Sequence, residues 1–253
     1  MWDYYISIRK CIHKSIRKKL YDRQENMAKV SAEEKVYHYL LGLLIEHKLQ
    51  PGSRILEKEI VEKIKVSRTP VRNAIIKLVA DGLLDKAPDK GVTIPIPTGE
   101  DVKQIFCARE ALEGESAFLA AMSINNEDID FLKMLHKREK DAYYSFNKKL
   151  YTEVNESFHL NIARISKNRY LDRFIKQVYW RSQIFVFYFD SFYNFHPENS
   201  KKYFTPYERS SFKDHSEIID AIINHDAGIA KKRMREHISS TYNLLFKPWQ
   251  KNI

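Results

Sequence analysis

The run Val66-Ser67-Arg68-Thr69-Pro70-Val71-Arg72-Asn73-Ala74-Ile75 constrains this chain more than any other stretch. Val71, Ala74, Ile75, Leu78 and Val79 fall at i, i+3, i+4, i+7 and i+8, which predicts a helix with one buried face. The start of that helix differs in character. Ser67 is placed as its cap, Arg68, Thr69 and Arg72 crowd its first turns, and Pro70 sits where a missing N–H costs nothing. A buried stripe with a cationic, hydrogen-bonding tip is the layout of a recognition helix. Such a helix enters the major groove N-terminus first, with Arg and Thr reaching phosphates and base edges.

The flanking residues predict a winged helix-turn-helix around it. Ser31-Ala32-Glu33-Glu34 reads as a capping box that opens a helix carrying Val36, Leu40, Leu43 and Leu44 on one face. Gln50-Pro51-Gly52 is a turn, and Leu56 to Ile64 is a short helix with Ile60, Val61 and Ile64 inward. Lys65-Val66 is the tight connection to the recognition helix, which Gly82 ends. Leu83-Leu84, Asp89-Lys90-Gly91 and Val92-Thr93-Ile94 predict a small hairpin turning at glycine, made basic by Lys86 and Lys90.

On these residues, the segment from about Ser31 to Pro97 resembles the DNA-binding domain of GntR-type bacterial transcription regulators. The resemblance rests on Pro51-Gly52, the run Val66 to Arg72, Leu78, Asp81-Gly82-Leu83, and Gly91 in the wing. It implies that Lys58, Arg68, Thr69, Pro70, Arg72, Lys90 and Gly91 touch DNA. Arg54 and the cap residue Ser67 are counted with them. The alternative is a winged helix used only for protein contacts.

Composition is consistent with this reading. The chain has 43 Lys+Arg against 33 Asp+Glu, a net charge of +10 and a pI near 9.3, which favours polyanions. Its 253 residues are enough for two cores, and only 7 Gly and 8 Pro point to a mostly helical protein. The two cysteines, Cys11 and Cys107, form no disulfide framework, so a reduced cytoplasm is expected. No secretory signal is read in the sequence. The most apolar run, Ile184 to Phe189, is far short of the about 20 residues that span a bilayer. It reads as a buried helix or an aromatic pocket wall.

The extended Ile94-Pro95-Ile96-Pro97 marks a boundary, after which Thr98 caps a new helix with Asp101. From there to about Leu245 the pattern is helical, with six apolar stripes. They are Ile105, Ala108, Leu112, Ser116 and Leu119; Ile129, Leu132 and Leu135; Leu150, Val154, Phe158, Ile162 and Ile165; Leu171, Phe174, Val178 and Phe185; Ile218, Ile219 and Ile222; and Ile229, Met234, Ile238 and Leu245. The predicted fold is mainly α: an N-terminal winged helix-turn-helix with a small β-hairpin wing, then an all-α effector-binding bundle of six or seven helices.

Histidines carry the chemistry of this bundle. Asn155 and His159 are i, i+4 on one helix and face the same way. His215 and His237 lie on successive helices joined near His225-Asp226, almost equidistant from the turn, so an antiparallel pair brings the rings level. Three imidazoles with an amide or carboxylate oxygen suit Zn²⁺, Ni²⁺, Mn²⁺ or Fe²⁺. His13, His38, His47, His136, His196 and His225 are read as surface or core residues.

The segment also resembles the effector domain of the FadR branch of GntR regulators. The matching residues are Arg109-Glu110-Ala111-Leu112-Glu113, Phe158-His159, His215 with Ile218-Ile219 and Ala221-Ile222, and Met234-Arg235-Glu236-His237-Ile238. The resemblance implies a metal held by an Asp and three His. Here the Asp position is Asn155, which brings no negative charge, so metal affinity is expected to fall and an effector carboxylate to matter more for charge balance. Glu156 points about 100° away on the helix. The resemblance further implies a small carboxylate, sugar-acid or acyl-CoA effector, with Arg109 as a carboxylate clamp. Arg181 is a second candidate. Tyr179, Trp180, Phe185, Tyr188, Phe189, Phe192 and Tyr193 are expected to line the pocket or a dimer interface.

Residues 1–30 carry 8 Lys+Arg and 3 Asp+Glu, with Tyr5, Ile8, Ile12, Ile16 and Leu20 near one stripe. The segment reads as a DNA-contacting arm, a membrane-surface helix, or an extension upstream of a start at Met27. The expected organisation is therefore a basic extension over 1–30, a winged helix-turn-helix over 31–97, an effector-binding and dimerisation domain over 98–247 and a tail over 248–253. The expected function is a cytoplasmic, ligand-responsive transcription regulator, a repressor, binding an inverted-repeat DNA operator as a homodimer. Its expected cofactor is a divalent metal (Zn, Ni or Mn), its effector a small organic acid. The weighed alternatives are a metal-dependent enzyme, with Glu156 or Asp214 as base, and an architectural DNA-binding protein without effector.

Overall fold

The computed structural model describes residues 31–45, 48–87, 89, 91–145, 147–193 and 206–246. The basic segment 1–30, Lys90, the tail 248–253 and His13, His47 and His196 lie outside the described residues. So do the side chains of Tyr188, Phe189, Phe192 and Tyr193.

Three helices and a hairpin form the first half: α1 (Ala32–Ile45), α2 (Glu57–Ile64), α3 (Arg68–Ala80), β1 (Asp85–Ala87) and β2 (Gly91–Thr93). The Ser31 capping box forms, with Glu34 N–H donating to Ser31 Oγ and Ser31 N–H to Glu34 Oε2, both at 3.1 Å. Lys65 closes α2 in the left-handed region, φ 58°, and turns the chain into α3. Ser67 is the N-cap of α3, but its hydroxyl makes no capping hydrogen bond and the residue is exposed. The strands pair antiparallel, Lys86 opposite Val92, and Arg54 bridges to Thr93 as a third piece of chain. Val36, Leu40, Val71, Ala74, Leu78 and Leu83 fill the core between α1, α3 and the wing.

Six helices follow: α4 (Gly99–Ser123), α5 (Asn126–Tyr144), α6 (Lys148–Ile165), α7 (Arg169–Tyr193), α8 (Pro206–Ile223) and α9 (Ala227–Leu245). Thr98 and Asp101 form the expected capping box, and Asn125, Asn147 and Asp226 cap α5, α6 and α9 through side-chain oxygens. α4 is central and packs against α6, α7, α8 and α9. Its approach to α9 needs Gly114, where a Cβ would come within 2.6 Å of the Arg235 stem.

Three stripes differ from the expectation; on α9 Ile229 is exposed, and Ala230, Met234, His237 and Ile238 are buried instead. On α4 the buried face is Val102, Phe106, Arg109, Glu113, Ser116, Ala117 and Ala120, while Ile105, Ala108, Leu112 and Leu119 are only partly covered. Charged residues occupy the middle of the true core face because they serve a buried polar site, so apolar periodicity points to the neighbouring face. On α7 the buried residues are Ile175, Tyr179, Ser182, Ile184 and Phe185, and Phe174 is exposed.

The two halves touch through α7. Leu41, Leu44 and Leu83 face Trp180 and Ile184 across a closed apolar gap. Beside it, Gln177 Nε2 donates to Asp81 Oδ1 at 2.8 Å, and Tyr37 Oη donates to Asp81 Oδ2 at 2.7 Å. Arg181 Nη1 donates to the Gly82 carbonyl and to Asp85 Oδ1, both at 3.0 Å. Arg181, expected at the effector pocket, therefore grips the end of α3 and the first wing strand instead. Helical spacing explains this: residues 177 and 181 share one face of α7, and residues 175, 179 and 182 share the other.

Candidate metal centre and nucleic-acid interface

Each of the six bundle helices sends a side chain into one buried polar cluster. His159 from α6, His215 from α8 and His237 from α9 are all at most 3% exposed, and their donor atoms lie within 4.8 Å of one another. Every one of these imidazoles has Nδ1 on a carboxylate. His159 Nδ1 donates to Glu113 Oε2 at 2.5 Å, His215 Nδ1 to Glu139 Oε1 at 2.7 Å, and His237 Nδ1 to Asp214 Oδ2 at 3.2 Å. A carboxylate only accepts, so each Nδ1 holds the proton and each Nε2 presents its lone pair. His215 Nε2 and His237 Nε2 then face each other at 3.2 Å. Two lone pairs at that distance repel unless something positive lies between them. Imidazole nitrogens about 2.0–2.1 Å from one metal, at a right or tetrahedral angle, are about 2.8–3.4 Å apart.

Asn155, one turn before His159, supplies the fourth group. Its Nδ2 donates to the Tyr179 hydroxyl at 3.0 Å. Its Oδ1 is buried with no hydrogen-bond partner. A buried acceptor left unpaired costs about 1–3 kcal/mol, so the donor set matches a cation in chemistry as well as spacing. Three imidazole nitrogens and one oxygen fit a divalent ion such as Zn²⁺ or Ni²⁺. The three histidines expected to hold a metal are thus brought together, with Asn155 one turn from His159 on the same helix.

Charge state agrees with ligation. Burial depresses His159 to about 3 and His237 to about 4, so both rings are neutral near pH 7. Burial pushes Glu113 up, but the Arg109 guanidinium, with His159, outweighs it and holds the carboxyl at about 2. Glu139 is likewise pushed up by burial and brought to about 2, chiefly by His215.

Arg109 reaches the cluster as expected, but it is not an unpaired cation. Its Nε donates to Glu113 Oε1 at 2.7 Å and its Nη1 to Ser182 Oγ at 3.2 Å. Tyr179 touches both parts, its ring 5.3 Å from that of His159 and 5.0 Å from the Arg109 guanidinium carbon. Asp214, weighed as a catalytic base, is tied to His237, and Glu156 accepts from Trp180 Nε1 at 2.9 Å. The three carboxylates behind the histidines were not read from the sequence. Their signals were present: Glu113 is i+4 from Arg109, Glu139 continues the stripe Leu132-Leu135, and Asp214 precedes His215.

At the other end of the chain Ser67, Arg68, Thr69 and Arg72 are exposed at the tip of α3, and Pro70 is half-buried there. Arg72 Nε donates to Glu57 Oε2 at 2.9 Å, so α2 orients it. Lys58 is exposed near Glu62. In the wing, Gly91 has φ +72° and lies against the Arg54 guanidinium, 3.1 Å from where a Cβ would stand. Gly91 thus satisfies two demands, a left-handed backbone and room for a cationic side chain.

Residues 104–240 match the FCD domain and residues 32–94 match bacterial regulatory proteins of the gntR family. The chain belongs to the GntR family, FCD type. This GntR-family chain is 29% identical over 203 residues to the Uxu operon regulator of Haemophilus influenzae, spanning 76% of this chain and 73% of that protein. It is 29% identical over 143 residues to an uncharacterized HTH-type transcriptional regulator of Bacillus subtilis, covering 56% of this chain and 64% of that relative. Among solved structures, Escherichia coli McbR superposes with a TM-score of 0.73 at 23% identity, covering 87% of this chain and 99% of that one. That likeness concerns the fold. The matched families and relatives are transcription regulators, not enzymes. Among the described residues no helix is long and apolar enough to cross a membrane.

Proposed function

We propose that this GntR-family chain is a cytoplasmic repressor that binds an inverted-repeat operator as a homodimer. In this reading, residues 31–97 bind DNA and residues 98–247 carry the effector site and dimer contacts. Arg54, Lys58, Ser67, Arg68, Thr69, Pro70, Arg72, Lys90 and Gly91 meet the DNA. A divalent metal held by Asn155, His159, His215 and His237, with a small organic acid, alters the affinity for DNA. The metal supplies a Lewis-acidic point at which an effector carboxylate binds. Arg109, its charge already balanced by Glu113, assists by hydrogen bonding.

One observation carries the coupling. α7 places Tyr179 and Ser182 against the Asn155 and Arg109 of the cluster, and on its other face Gln177 and Arg181 hold Asp81, Gly82 and Asp85 at the end of α3 and the start of the wing. A single rigid helix thus contacts both the ligand site and the recognition helix, the kind of shared element that two sites can bias.

The test is the double variant Gln177→Ala, Arg181→Ala. It should bind Ni²⁺ or Zn²⁺ as the wild type does, by calorimetry, while its affinity for a selected operator no longer responds to metal. An operator response that survives in the double variant would refute α7 as the coupling element.

A further inference from the structure

Asn155 offers the metal no charge, and the chain's own acids stand one shell further out. Glu139 is the telling case. It is 1% exposed, and among the described residues its ion-pair partners are two imidazoles, His215 at 2.7 Å and His136 at 3.7 Å, with no Lys or Arg. Neutral imidazoles give a buried carboxylate hydrogen bonds but no positive charge to balance it. Among the described residues a place for one lies on the far side of the His215 ring, where Nε2 faces His237 Nε2. Asp214 stands behind His237 in the same way, and Glu113 behind His159. Three carboxylates and the Arg109 guanidinium leave two negative charges around the cluster, the charge of one divalent cation.

We infer that Glu139, Asp214 and Glu113 are positioning and charge-balancing residues for the metal, and that they replace the acid missing at Asn155. Each holds its imidazole with Nε2 inward and raises the basicity of that nitrogen, as carboxylates behind metal-bound histidines do. The site is then electrically closed by a bare dication. An anionic effector is not needed to balance it, contrary to the expectation from Asn155 alone. This inference rests on the metal reading above.

The experiment is a double-mutant cycle on the full chain, with Ni²⁺ and Zn²⁺ affinities measured by calorimetry. Glu139→Gln should weaken the metal roughly 10- to 100-fold. Asn155→Asp should change the wild type by less than about threefold, yet recover at least about tenfold in the Glu139→Gln background, because the acid has been returned to the coordination shell. Equal effects of Asn155→Asp in both backgrounds, or full affinity in Glu139→Gln, would overturn the inference. Melting of the metal-free protein separates charge from packing. Loss of Glu139 should leave the metal-free melting temperature unchanged or raised while lowering that of the metal-bound form. A drop in both would mean a merely structural carboxylate. Asp214→Asn, at a partly exposed position, repeats the test where folding is safe and should weaken the metal less. If the wild type itself binds neither ion, the metal reading fails rather than the balance of charges.

Discussion

Asn155 Nδ2 donates to the Tyr179 hydroxyl at 3.0 Å, and its Oδ1 is left buried without a hydrogen-bond partner. An amide can flip, and only its oxygen can ligate. With Nδ2 engaged by the Tyr179 hydroxyl, Oδ1 is the Asn155 atom left for a metal.

Tyr179→Phe should weaken metal binding by roughly tenfold, by freeing the amide to turn. The lost buried hydrogen bond should cost the metal-free fold about 1 kcal/mol. Calorimetric titration and denaturant melts read the two effects separately. Unchanged metal affinity in the variant would remove Asn155 from the ligand set.

Acid should unfold the metal-free protein early. His159 and His237, lowered by burial to about 3 and about 4 from an ordinary 6.5, bind fewer protons when folded. Their stabilising effect is fully present above pH 6.5 and is lost as the pH falls towards those values. Glu113, held at about 2 chiefly by Arg109, acts in the same direction below about pH 4.5. The melting temperature should decline from pH 6.5 downward, by on the order of 1–3 kcal/mol of stability per pH unit. His237→Gln should flatten that decline by about one proton. A stability flat from pH 7 to pH 5 would contradict the buried neutral rings.

The DNA interface makes a graded prediction. Arg72 is oriented by Glu57, whereas Arg68 is exposed with no ion-pair partner among the described residues. Arg72→Ala should cost about 1–3 kcal/mol on a specific operator and relax one base position if it reads an edge. Glu57→Ala should strengthen binding to any DNA while blunting preference, because it removes a negative charge and frees the guanidinium. Competition binding against random duplex, repeated at two salt concentrations, distinguishes these outcomes. An Arg68→Ala, Arg72→Ala double variant with unchanged operator affinity would refute recognition by α3.

Much of this architecture was legible from the residues because apolar spacing and caps coincide. Val71 to Val79 fixed the inward face of α3, and Thr98 with Asp101 marked the start of α4. The histidine pair across α8 and α9 was legible from counting to the turn at His225-Asp226. What stayed hidden was polar burial. Arg109 and Glu113 interrupt the apolar stripe of α4, so apolar spacing points to the adjacent face, and Glu139 sits between Arg138 and Lys140 with nothing adjacent in sequence to mark it as buried. Arg181 was misplaced for the complementary reason: a cation beside Tyr179 in sequence stands about 200° from it on the helix, two residues on. Its partners, Gly82 and Asp85, are separated from it by almost a hundred residues and leave no local trace.

In the proposed function, one divalent ion bound by Asn155, His159, His215 and His237 changes how this chain holds DNA. The most direct test strips protein purified without an affinity tag, then follows fluorescence anisotropy of a selected operator while Ni²⁺, Zn²⁺ or Mn²⁺ is added. Operator affinity should change with an endpoint at one metal per chain, and His215→Ala should abolish the change while leaving metal-free DNA binding intact. Operator affinity and melting temperature indifferent to all three metals would contradict the account.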